Sequence, residues 1–176
     1  AQESRGLGDV YKRQVEDGGT ISTNFNWFKV PAITQEVYFG IATEGAGTSS
    51  AHAGFAVGDQ TGFVVPSTAT TYATAGLLAL DGSAAITTLQ GDLTLAAGYG
   101  SLTGTLSGSG YTLGISAASS STGTFSGSSS LSGNGASGTG NSSGHFYSSG
   151  ATSAIAGVAN GTSGTSYVAG FGGVAK

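Results

Sequence analysis

Two imidazoles, His52 and His145, are the only histidines in a chain that has no cysteine and no methionine. A haem or metal site needs at least one ligating side chain set in an apolar pocket. His145 adjoins Phe146 and Tyr147, so a flat ring clamped there makes His145 and Tyr147 the candidate haem contacts. The bland alternative is a strand histidine that faces solvent or hydrogen-bonds within the structure. His52 has no such aromatic neighbours and is the weaker candidate. The acids Glu36, Glu44, Asp59, Asp81 and Asp92 are isolated, mostly beside Gly or turn residues, where Asp accepts local backbone hydrogen bonds. A glycosidase needs two carboxylates facing each other across a cleft, and the spacing nominates none. Serines abound, yet no Gly-x-Ser-x-Gly occurs in a strand-to-helix setting with an acid and a histidine following. The Gly-rich segments lack the lysine and the helix of a phosphate loop. No catalytic residue is nominated, and the chain reads as a non-enzyme.

Composition narrows the partners. Only 8% of the residues are charged, the formal charge is −4 and Lys plus Arg number 5, whereas phosphate binding needs clustered bases. Nucleic acid is therefore not an expected partner. No apolar run reaches membrane-spanning length, so no transmembrane segment is expected. With no methionine at all, the chain is expected to be a fragment or a processed product, and a signal peptide or lipidated cysteine could have preceded it. Glycine accounts for 33 of 176 residues; such enrichment can mean disorder, but an apolar fraction of 38% and its regular alternation argue for a folded domain.

The elements that must position these residues are strands. From Leu93 to Ala175 no acid, lysine or arginine appears, and short phrases recur, such as Gly-Ser-Leu-Thr-Gly-Thr-Leu-Ser-Gly from Gly100 and Gly-Tyr-Thr-Leu-Gly-Ile-Ser from Gly110. Leu102 and Leu106 fall on one side of an extended chain and Thr103 and Thr105 on the other, the pattern of half-buried antiparallel strands. Many short strands joined by Gly or Ser turns argue for a meander, and closing it hides its edges. The expected fold is all-β, with an eight-stranded antiparallel up-and-down barrel over residues 68–176. Leu102, Leu106, Tyr111, Leu113, Phe125, Phe146 and Phe171 are its candidate core. Residues 15–67 form a smaller strand-rich segment packing on the barrel, dense in aromatics: Phe25, Trp27, Phe28, Tyr38 and Phe39. Either these rings plug one end of the core or they present a ligand platform, for which Trp27, Phe28 and Tyr38 are the candidate binding surface. Residues 1–14 differ in kind. The run Arg-Gly-Leu-Gly-Asp-Val-Tyr-Lys-Arg-Gln from Arg5 resembles translated sequencing-adapter read-through, so this stretch is expected to be a disordered or artefactual extension.

Near the end of the chain, Gly144-His145-Phe146-Tyr147, Ala151 and the run from Val168 through Phe171-Gly172-Gly173 to Lys176 resemble the C-terminal barrel domain of the transferrin-binding-lipoprotein-like solute-binding proteins. That family carries Gly-x-Phe-Tyr-Gly-Pro, then Ala and Glu. Here Ser148 and Ser149 replace Gly-Pro, and Ser153 takes the approximate place of the Glu. The resemblance implies an eight-stranded barrel beside a smaller N-terminal part, secreted or held at the cell surface in the outer leaflet of a Gram-negative outer membrane. It also implies a host iron protein or haem as ligand. The expected function is thus a secreted or surface-exposed binding module. The competing expectation is a structural subunit of an extracellular matrix or filament, in which residues 15–41 pair with a neighbour's open edge.

Overall fold

A computed structural model describes residues 10–16, 20–44 and 51–176, with those before Asn24 as backbone only. Everything regular in it is strand. β1 (Val10–Glu16), β2 (Thr20–Lys29), β3 (Val37–Glu44) and β4 (Ala51–Gly58) form a four-stranded antiparallel sheet in chain order. β5 (Thr70–Leu80), β6 (Ile86–Leu95), β7 (Ser101–Gly108), β8 (Tyr111–Ser119), β9 (Thr124–Gly133), β10 (Ala136–Ser149), β11 (Thr152–Gly164) and β12 (Tyr167–Ala175) form a closed up-and-down barrel, sealed where β12 pairs with β5. The barrel thus starts at Thr70. Of the segment read as an extension, Val10–Gln14 belong to β1 and pair with β2, while residues 1–9 lie outside the described part.

The alternation in the sequence becomes the barrel's two surfaces. Leu93, Leu95, Leu102, Leu106, Leu113 and Leu131 point inward and are buried. Phe125, Phe146 and Phe171 join them, with ring centres 5.6 Å and 6.1 Å apart around Phe125. An eight-stranded barrel is just wide enough for its own side chains, and these leucines and rings fill it. On the outside, Thr94, Thr103, Ser116, Ser128 and Asn141 stand opposite one another from β6 to β10, all exposed. Hydroxyl side chains keep that wall wet without charge. The Asn134–Gly135 turn joins β9 to β10 with both residues at positive φ, 47° and 78°, as a tight hairpin requires.

The outer wall changes character over β5, β11 and β12. Ala154 and Ala156, Leu77 and Ala79, and Gly170 and Gly172 face out there and are buried, because the small sheet lies on them. Phe28, Val30, Ile33, Val37, Phe39 and Ile41 form a second core against this wall. Gly170 permits the contact: a Cβ there would stand 2.4 Å from the carbonyl oxygen of Gly40, so only bare backbone lets the two layers meet. The aromatics of the N-terminal segment therefore do not plug the barrel end; they roof its side. The end is closed by the loop between β4 and β5, whose Phe63 and Val65 pack into the interior core. Ser148 holds this loop, accepting from the Val64 N–H at 2.8 Å and donating to its carbonyl at 3.0 Å.

Residues 15–41 run from Val15 and Glu16 of β1 through β2 into β3. β2 and β3 are interior strands with both edges already paired. Among the described residues, the sheet's outermost strands are β1 and β4.

Candidate functional site

Successive residues of a strand point to opposite faces, and this divides the aromatic group. Phe28 faces the barrel and is 7% exposed. It pairs with Phe39, ring centres 5.7 Å apart, and belongs to the buried core, so it is removed from the candidate binding surface. Trp27 and Tyr38 face outward, half-buried, with rings edge to face at 5.0 Å. Phe25 lies on the same face and meets Phe55 of β4 edge-on at 6.1 Å. The registers place Gly40 between Trp27 and Phe55, and a Cβ there would meet the Asn26 carbonyl oxygen first and the edge of the Phe55 ring at 2.9 Å. Val57, 53% exposed, extends the strip, and the Lys29 ammonium stands 5.7 Å from the Tyr38 ring centre.

The result is a band of aromatic rings across β2, β3 and β4, backed by the second core and the filled barrel. Edge-to-face ring pairs hold each other's orientation, so the band is preformed. Phe55 and Val57 escaped the sequence reading; alternation within Ala51–Gly58 would put both on one face, but only the β3–β4 register joins them to Trp27.

His145 and Tyr147 share the outer face of β10 but not the same surroundings. His145 lines a small cleft of about 290 Å³ with Ala56, Val158, Ser126 and Ser143. Its Nδ1 is buried with no hydrogen-bond partner among the described residues. Tyr147 is 1% exposed beneath β4, its ring against the Gly58 backbone, and burial raises its hydroxyl pKa above the usual value. A planar macrocycle lying against His145 does not reach a phenol sealed under the sheet, so this pair does not fit a haem.

His52 belongs to the joint between the two layers. Its Nε2–H donates to the Ser83 carbonyl at 2.7 Å, which leaves Nδ1 to accept from the Thr43 hydroxyl at 2.9 Å. Among the described residues, no three His, Asp or Glu side chains gather as a metal site would need.

No family model and no curated protein matches this chain.

Proposed function

We propose that the chain is a non-enzymatic binding protein, secreted or held at the cell surface, that takes an extracellular protein ligand on the outer face of its small sheet. The aromatic band of Phe25, Trp27, Tyr38 and Phe55 carries this reading. Trp and Tyr are enriched among the residues that dominate binding energy, and rings fixed before contact lose little entropy on binding. The acidic, base-poor composition favours a protein over nucleic acid. A closed eight-stranded barrel beside a small sheet is compatible with the transferrin-binding-lipoprotein-like architecture, which supports a host iron protein as the ligand class.

The test is capture of transferrin and haemoglobin by the immobilised full chain. Binding of at least one is expected, weakened roughly tenfold or more by Trp27→Ala or Phe55→Ala, about 1.4 kcal/mol or above, and unchanged by His145→Ala. Capture insensitive to both aromatic substitutions, or none at all, overturns the reading. Ordered growth in light scattering that depends on β1 would favour the structural subunit instead.

A further inference from the structure

On the side away from β4, the small sheet and the barrel wall enclose a cleft of about 540 Å³, within the range of roughly 300–1,000 Å³ that small ligands occupy. Its construction follows from side-chain size. Ala73 and Ala75 on β5 and Gly172 on β12 leave a low, apolar floor, and Phe39 and Pro31 close one side. Beneath the sheet β5 buries Leu77 and Ala79; where the cleft opens it carries Ala75, half-buried, and Ala73, exposed.

Charge is concentrated at the same place. Among the described side chains only seven are Asp, Glu, Lys or Arg, namely Lys29, Glu36, Glu44, Asp59, Asp81, Asp92 and Lys176. Three of them line this cleft, including both lysines, which come from distant parts of the sequence. Lys176 donates to Asp92 at 2.7 Å, with both side chains about half exposed, at 55% and 50%. Lys29 lies 3.5 Å from Glu36, which is 72% exposed. Exposed pairs of this kind hold little energy, so both ammonium groups remain able to turn to a ligand. The cleft lining sums to one positive charge in a chain whose formal charge is −4.

We infer that this cleft binds a compact amphiphilic anion, a flat apolar body on the Ala–Gly floor with one carboxylate- or sulfonate-like group between Lys29 and Lys176. The inference rests on the reading of the chain as a binding protein; the cleft adjoins the aromatic band and shares Lys29 with it, but none of the band's rings line it.

The test titrates the full chain with 1-anilinonaphthalene-8-sulfonate and with its uncharged counterpart N-phenyl-1-naphthylamine, following fluorescence. Saturable one-site binding is expected, with the sulfonate held roughly tenfold more tightly than the neutral probe. The double substitution Lys29→Gln and Lys176→Gln should erase that preference, and Asp92→Asn should enlarge it a few-fold. Trp27→Ala should change neither probe, so loss of protein capture with probe binding intact separates the two sites. Absent or unsaturable sulfonate binding, a preference that survives the double lysine variant, or a loss caused by Trp27→Ala would each overturn the inference. Because these substitutions lie at exposed or half-exposed positions, misfolding does not obscure the outcome; Ala75→Leu, which fills the floor, should abolish both probes.

Discussion

Inside the barrel, the Tyr72 hydroxyl meets Ser153 Oγ at 2.9 Å. A second phenol, Tyr167, bonds Ser129 Oγ at 2.7 Å, and Ser129 donates onward to the Asn141 carbonyl at 3.0 Å. A short neutral hydroxyl thus satisfies a buried phenol. Removing one partner of such a pair strands the other, which costs about 1–3 kcal/mol, whereas removing both is far milder. Ser153→Ala should therefore lower the urea midpoint clearly, and Tyr72→Phe added to it should recover part of the loss; additive losses would show that the bond is not coupled. Little of this was legible in the sequence. Tyr72 and Ser153 lie on strands far apart in the chain, and only closure brings them together. His145 was legible as an unusual residue, but its strand neighbours did not reveal that the sheet would cover Tyr147 and leave His145 in a cleft.

At the scale of strands, period-two alternation predicted the interior residues Leu102, Leu106, Leu113 and Phe125 because one side of β7 to β9 is apolar and the other hydroxylic. It gave no such answer for β5, where Ala73, Ala75 and Leu77 oppose Tyr72, Thr74 and Leu78. Both faces there are apolar or small, and the reason appears only with the small sheet in place. Phe28 was misplaced for a related reason: a ring on either face of β2 finds aromatic company. The contact between layers makes a specific demand at Gly170, where a Cβ would come within 2.4 Å of the Gly40 carbonyl oxygen. Gly170→Val should lift the small sheet from the barrel, at a cost of about 1–3 kcal/mol as for overpacked cores. Chymotrypsin should then cut faster at Phe28 and Phe39 while the strand content of the barrel persists. Unchanged cleavage would mean that the two layers are not held by this contact.

For the molecule as a whole, pH stability should be decided by phenols more than by carboxylates. Burial raises the pKa of Tyr72, Tyr147 and Tyr167 above the ordinary 10.0, with hydrogen bonds from Ser153 and Ser129 only partly offsetting this for Tyr72 and Tyr167. The folded state then keeps these protons after the unfolded chain would release them. Their contribution is fully present below about pH 10 and is lost as pH rises through the higher folded values. An alkaline titration should show three of the seven tyrosines ionising only together with unfolding, seen as a late step in tyrosinate absorbance; all seven ionising before the loss of structure would contradict it. The closure of the barrel has a further consequence, in time. β12 completes the ring by pairing with β5, and β5, β11 and β12 together bear the outer surface on which the small sheet rests. That resting place needs β12 paired with both β11 and β5, so the strands that lead the chain are expected to seat after that pairing has formed. Pairings between distant segments form slowly. A chain with this order of assembly keeps its small sheet unseated for as long as its final strand is withheld.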